Sequence, residues 1–473
     1  MGKISNAIEC KGFSFGEVTG SCYQVNYNGY NFLLDCGAKQ TQNIVDDYKS
    51  NVKMIRNIKA REIRAIIVGH VHQDHIGIIP ALYRNGCTAT IFSPKHTKEL
   101  MAMMWSDSAK ILIQDTDKIS RKYGIKATPY YSVDDVQTAL EHVVEIDFRY
   151  PINLNESISF EYFSANHIVN SAQILLRLNN GINTKRVLYT SDLGSLTFDN
   201  FYCEAFDKVE FANIVIGEST YATDTRGNKK GDRPKDIEKI KSMVEQIKEC
   251  GGKIIIPVFS LNRSQDILTM LYNIFGEDTT FNLPIVYDAV LGNKISNAWE
   301  GCICKNQELW NKVWNWKNLV KITEWDESKL WQTKSEPMIA LCSGGFLSGG
   351  RIIPWAKTCL PNYNNFICFV GYGGGVDSPV YQIKHSKEFP VVNIDGEKVA
   401  NKARVVCLSS FSSHIDNNDM LDYYSSINCE KIYLAHGDMD RKLAFKPMLE
   451  DAISKKNRTS RVVCANMDTK INL

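Results

Sequence analysis

His70, His72, Asp74 and His75 stand within six consecutive positions, spaced HxHxDH, directly after the apolar run AIIV (65–68). In an extended stretch alternate residues point to the same side, so His70 and His72 can hold one cation while Asp74 and His75 turn toward a second position. The chain has only 9 histidines, which makes this concentration a poor match to chance or to solvated loop histidines. Further donors end other apolar runs: His167 in NHIVNSA, Asp192 in YTSDLG and His436 in LAHGD. Taken singly, each is more often a satisfied polar group than a ligand. Their weight lies in number, because His70, His72, His75, His167, His414 and His436 all stand beside such ends. Asp192 is the natural bridge, since a carboxylate has two oxygens to share between cations. Imidazole and carboxylate without thiolate suit zinc best, with manganese or iron as alternatives. Two such ions about 3.5–4 Å apart acidify a shared water and hold both oxygens of an in-line displacement. Hydrolysis of an ester, amide or phosphodiester follows, with the substrate left open. His96, His142 and His385 acquire no role.

Short strands must position these residues. RVLYTSDLG (186–194), NIVIGEST (213–220), RVVCLSSFSSHID (404–416) and KIYLAHGDMD (431–440) each read as an apolar strand stopping at a His, Asp or Glu. From about 219 to 396 the rhythm becomes strictly strand–helix. IEKIKSMVEQIKE (237–249) places Ile237, Ile240, Met243, Val244 and Ile247 on one helical face, and KIIIPVF (253–259) is a buried strand. SQDILTMLYNIF (264–275), LPIVYD (283–288), PMIALCSGG (337–345) and NNFICFVGYGGG (364–375) continue the alternation. Such alternation implies a parallel sheet with its own core. The strand-plus-histidine pattern returns after 397. An α/β chain is therefore expected in which 1–218 and 397–473 form one domain around an inserted 219–396.

With 473 residues, 44% hydrophobic and 23% charged, the chain reads as soluble, globular and too long for one core. No apolar run suffices to cross a bilayer, and the first residues lack a secretory pattern, so a cytoplasmic location and no membrane partner are expected. The 14 cysteines are scattered without a CxxC pair and read as reduced thiols. A net charge of +2 argues against a protein that coats nucleic acid, but not against a nuclease with a local basic groove. The clusters Lys229–Lys230–Arg233–Lys235 and Lys455–Lys456–Arg458–Arg461 read as solvated helix ends or loops. Trp299, Trp310, Trp314, Trp316, Trp325 and Trp331 crowd the inserted block, either as a base-stacking platform or, more plainly, as core and domain interface.

In chain order, HxHxDH, His167, Asp192 and His436 resemble the metallo-β-lactamase superfamily. The chain is more specifically similar to its β-CASP nucleases, a group that includes ribonuclease J and the endonuclease subunit of the cleavage and polyadenylation machinery. Asp35 in LLDCG, Glu218 in GESTY, IPVFSLNRSQDIL (256–268), IVYDA (285–289), SGGFLSGGR (343–351), SSFSSHID (409–416) and LAHGD carry that resemblance along nearly the whole chain. It implies an αββα sandwich with an inserted parallel β/α cap. It implies two zinc ions, one held by Asp74, His75, Asp192 and His436, the other by His70, His72, His167 and Asp192. Asp74 would also orient the attacking hydroxide, and Asp35 would accept from a ligand imidazole and fix its tautomer. His414 would touch the scissile phosphate and protonate the leaving oxygen, oriented by Glu218. Arg263, Ser412 and Ser413 are candidates for substrate contact. Departures from the family are Asn166 and Asn170 in place of glycines, Asp438 in place of glutamate, and GYGGGVDSPVYQ (371–382) without the usual threonine–glycine–arginine ending.

The resemblance implies a metal-dependent ribonuclease acting on single-stranded RNA. Endonucleolytic cutting is expected because no long domain follows the strand RVVCANM (461–467). A DNA nuclease of the same fold and a small-molecule metallo-hydrolase are the alternatives. His436 weighs against the first, since the DNA-repair branch typically has an aliphatic residue there. The size of the inserted block weighs against the second. Homo-oligomer or larger complex stays open.

Overall fold

The computed structural model describes residues 9–13, 17–41, 43–196, 200–223, 229–371, 376–467 and 469–471. The chain divides into two units: Met1–Thr225 with Cys302–Cys304 and His414–Leu473, and Arg226–Gly301 with Lys305–Ser413.

The first unit is built on two seven-stranded sheets. One runs in the order Lys470–Ile471, Glu9–Gly12, Tyr23–Tyr27, Tyr30–Leu34, Ile63–Ile67, Thr90–Pro94, Val143–Ile146. The other runs Arg461–Cys464, Lys431–Ala435, Ile214–Glu218, Thr184–Tyr189, Ala172–Asn179, Ile158–Ser164, Ile152–Asn153. Alternation of side chains gives each strand an inner and an outer face. Tyr23, Phe32, Leu34 and Ile67 of the first sheet pack inward on Phe160, Ile174, Leu176, Tyr189 and Ile216 of the second. On the outer face of the second sheet, Leu175, Leu188, Val215 and Leu434 cluster with Met420, Tyr424, Phe445 and Leu449 of the helices Asn417–Ser426 and Met439–Lys455. Leu33, Ile66 and Ile91 are buried on the outer face of the first sheet. Both sheets are thus covered on both faces, as an αββα sandwich requires. Each fully buried aliphatic or aromatic side chain contributes about 1.5–3 kcal/mol toward holding the layers together.

Strand direction places the chemistry. Thr184–Tyr189, Ile214–Glu218 and Lys431–Ala435 are parallel neighbours, and Ile63–Ile67 is parallel to both of its partners. Their carboxyl ends deliver Asp192, Glu218, His436 and the His70–His75 loop. His167 comes from the turn joining antiparallel Ile158–Ser164 to Ala172–Asn179. In that turn Asn166 and Asn170 have φ of 52° and 55°. Asparagine tolerates this left-handed region better than most residues, which explains how it replaces the family's glycines.

The second unit holds a six-stranded sheet in the order Leu319–Ile322, Ile285–Asp288, Met338–Ser343, Lys253–Val258, Phe366–Phe369, Arg404–Cys407, with every pair parallel. The strand–helix rhythm of the sequence is this sheet. Two details differ from expectation. Arg404–Cys407 was assigned with 397–473 to the first domain, yet it pairs with Phe366–Phe369 and stays with the second unit to Ser413. An apolar strand followed by a histidine reads the same in either sheet, so its pattern does not disclose its partner. The helix expected from 237 spans Lys229–Cys250, with Pro234 inside it, while Ile240, Met243, Val244 and Ile247 are its buried stripe. Trp299, Trp310 and Trp316 are core, Trp314 and Trp331 are half-buried, and Trp325 is exposed. Lys455 and Lys456 pair with Asp451 and Asp422 on the surface. Positions 372–375 of the GYGGG turn and the side chains of Lys229 and Lys230 lie outside the described residues. Among the described residues no helix is long and apolar enough to cross a membrane.

Candidate metal centre

Backbone contacts fix the histidine loop before any side chain is considered. The LLDCG segment runs against it: Cys36 N donates to His75 O at 2.8 Å, Ala38 N to Gln73 O at 3.0 Å and Ser21 N to Asp74 O at 2.8 Å. A Cβ on Gly37 would lie 1.6 Å from Asp74 O, so this approach admits glycine alone.

Four donors then converge. His70 Nε2 lies 3.1 Å from His72 Nδ1, His167 Nε2 lies 3.4 Å from the same atom, and both Nε2 atoms lie 3.7 Å from Asp192 Oδ2. On the other side of the same carboxylate, Asp192 Oδ1 is 3.3 Å from His75 Nε2 and 3.2 Å from His436 Nδ1. Asp74 Oδ2 is 3.9 Å from His75 Nε2 and 3.6 Å from His436 Nε2. A tetrahedral ion with bonds of about 2.0–2.2 Å spaces its ligands roughly 3.3–3.6 Å apart. The two sets, His70–His72–His167–Asp192 and Asp74–His75–Asp192–His436, match that spacing and share Asp192.

The remaining atoms of these rings are held from behind. Asp35, fully buried, accepts from His75 Nδ1 and from Tyr189 Oη at 2.7 Å each, and from Gly69 N at 2.7 Å. Ser191 Oγ donates to Asp35 Oδ2 at 3.5 Å and lies 3.1 Å from His70 Nδ1. Thr220 Oγ1 donates to His436 O at 3.2 Å and lies 3.1 Å from His436 Nδ1. For His75 and His70 this commits Nδ1–H to a hydrogen bond and leaves Nε2 as a lone-pair donor. His75 Nε2, His436 Nε2 and Asp192 Oδ1 are buried without a hydrogen-bond partner. Buried polar atoms are normally satisfied, and these share one location and one need: a cation. The donor set fits a metal.

Electrostatics agree. Burial drives the His70 and His167 imidazoles well below their usual range and takes His72 down to about 4, so these rings stay neutral, as metal ligation requires. Burial also penalises the charged form of His75 and His436. Even so, Asp192 with Asp35 and Asp74 lifts His75, and Asp192 with Asp74 lifts His436. Asp192 and Asp74 are held low against their own burial, chiefly by His436 and His75 for Asp192 and by His75 for Asp74. This half of the centre concentrates negative charge and recruits protons in the role a dication takes.

A third group adjoins the two sets. His414 Nδ1 is 3.2 Å from both oxygens of buried Glu218 and 3.9 Å from Asp192 Oδ2, and its ring centroid is 4.5 Å from that of His167. Glu218 Oε1 also accepts from Leu193 N at 2.6 Å. All ten residues expected at the centre, Asp35, Glu218 and His414 included, are thus brought together. The three substrate candidates belong to the second unit. Arg263 donates to Val370 O and to Ser413 Oγ, and Ser412 is buried in the second unit. Sequence reasoning missed Tyr189, Ser191 and Thr220. Each lies within three residues of a singled-out residue, but Ser, Thr and Tyr at strand ends are too common to stand out.

Family descriptions match three stretches: Anti-Pycsar protein Apyc1 over residues 12–220, the Beta-Casp domain over 264–375, and the Zn-dependent metallo-hydrolase RNA specificity domain over 398–460. Ribonuclease TTHA0252 of Thermus thermophilus is 26% identical, over 92% of this chain and 94% of that protein. Transcription termination factor FttA of Methanocaldococcus jannaschii is 25% identical, over 96% of this chain and 69% of that protein. A crystal structure of a protein of unknown function from Enterococcus faecalis V583 shares the fold, with a TM-score of 0.53, 12% identity, and coverage of 99% and 100% of the two chains. The chain belongs to the β-CASP group of the metallo-β-lactamase superfamily, whose members are metal-dependent hydrolases.

Asp35→Asn keeps the shape of the side chain but removes its charge. It is expected to weaken metal affinity about 10–100-fold, measured by competition with a calibrated chelator. Unchanged affinity would mean that Asp35 does not govern the His75 tautomer.

Proposed function

We propose that the chain is a dinuclear-zinc phosphodiesterase that cuts single-stranded RNA endonucleolytically in the cytoplasm. The observation that carries this reading is the placement of Asp192, whose two oxygens face two separate donor sets, with His414 at the rim of both. Bound in these sets, zinc would supply Lewis-acid activation of water and of a phosphoryl oxygen. The chain's own residues do the rest. His70, His72 and His167 hold one position, Asp74, His75 and His436 the other, and Asp192 spans both. Asp74, whose side chain is 23% exposed, orients the attacking water. His414 protonates the leaving oxygen, and Glu218 fixes its ring through Nδ1. The names of the ribonuclease relative and of the RNA specificity domain support RNA as the substrate class, and His436 supports it over DNA.

His414→Ala is expected to lower the cleavage rate by about 10²–10⁴-fold while elemental analysis finds the metal content of the wild type. Loss of metal in that variant would make His414 a ligand and overturn its assignment. Matched end-labelled single strands of RNA and DNA test the substrate. RNA should be cut faster and at internal positions, and equal or faster DNA cleavage at physiological salt would reverse the reading.

A further inference from the structure

The carboxyl edge of a parallel α/β sheet is where such folds receive ligands, and the six-stranded sheet presents that edge within the second unit alone. Among the described residues of this unit four aromatic side chains are exposed: Phe259 (42%), Trp325 (47%), Phe346 (38%) and Tyr363 (71%). Three of them follow the carboxyl ends of strands. Phe259 comes after Lys253–Val258, Phe346 after the adjoining Met338–Ser343, and Trp325 after Leu319–Ile322. Tyr363 instead precedes the strand Phe366–Phe369, at the opposite edge.

The three are organised rather than scattered. The Phe259 and Phe346 rings meet edge-on, 5.0 Å between centroids at 72°. Gly344 N donates to Val258 O at 3.2 Å, which ties the glycine-rich turn to the neighbouring strand end. A Cβ on Gly345 would sit 3.0 Å from the Phe259 ring, so the glycine lets the turn lie against that ring. At the far end of the turn, Arg351 donates to Thr323 O at 3.0 Å and Glu324 O at 3.2 Å, and its guanidinium lies 4.4 Å from the Trp325 ring centroid. The turn between Ser343 and Arg351 therefore lies against Phe259 at one end and, through Arg351, against Trp325 at the other; the Arg351 side chain is only 12% exposed and also pairs with buried Asp288 at 3.7 Å.

Resting on the RNA reading above, we infer that Phe259, Phe346 and Trp325 form a platform on which unpaired bases of the RNA strand stack. Nucleobases offer flat faces to aromatic rings whatever their identity. Rings at two places along the sheet edge, the Phe259–Phe346 pair and Trp325 two strands from Met338–Ser343, suit successive bases better than one small ligand. The buried tryptophans of the same unit are core, so binding falls to the residues that remain open.

The test measures binding of a fluorescein-labelled oligouridine, and of an abasic strand of equal length and charge, to the zinc-loaded protein. His414→Ala serves as the parent to keep the strand intact. Phe259→Ala and Trp325→Ala should each weaken oligouridine binding by about 5-fold or more, with abasic binding unchanged. Phe259→Tyr and Trp325→Phe should restore affinity, and Tyr363→Ala should match the parent. Unchanged oligouridine affinity in the alanine variants would overturn the platform and leave this surface to a protein partner. Equal losses on both strands would overturn stacking in favour of a general disturbance. If the parent binds neither strand, the RNA reading itself falls and takes the platform with it.

Discussion

The structure depends on one electrostatic constraint: Asp35 and Asp192 are buried at the meeting of two sheets, with Asp74 beside them and little access to water. An isolated buried carboxylate is strongly disfavoured unless it is hydrogen-bonded or meets positive charge. Asp35 is satisfied by Tyr189, Gly69 and His75. Among the described residues Asp192 faces imidazoles, and its buried Oδ1 has no hydrogen-bond partner, so it calls for positive charge beside it. The lift of His75 and His436 above their usual range is the same demand expressed through protons.

The fold answers this demand with parallel strands whose carboxyl ends share one edge. A change of strand direction at Ile214–Glu218 or Lys431–Ala435 would send Glu218 or His436 to the opposite edge. Close backbone packing at Gly37 keeps the histidine loop where those ends arrive. Several residues around the centre hold left-handed backbone without being glycine: Asp35 at φ 53°, Ser191 at 50° and His436 at 41°. Such conformations persist where the surroundings over-determine them, and here each one directs or adjoins a group aimed at the centre.

Much of this was legible in the sequence because metal ligands are rare residue types at conspicuous places. HxHxDH, the strand-end aspartates and the strand–helix rhythm of the inserted block all announce themselves through type and spacing. The strand Arg404–Cys407 falls in the second unit rather than with 397–473 in the first, because apolar periodicity gives a strand without its partner. Ser191 and Thr220 escaped notice because hydroxyls that orient a histidine look like any strand-end hydroxyl. Phe259 and Phe346 escaped because exposure is a tertiary property, and the tryptophans that attracted attention are largely core.

The central claim is that Asp192 joins two metal positions, and metal stoichiometry tests it most directly. Protein purified metal-free, reconstituted with zinc and desalted should carry two ions per chain in native mass spectrometry. Asp192→Asn, which removes the shared charge, should fail to hold the pair. A wild-type ratio that stays at one or zero, or an Asp192→Asn variant that still binds two ions tightly, would contradict the account.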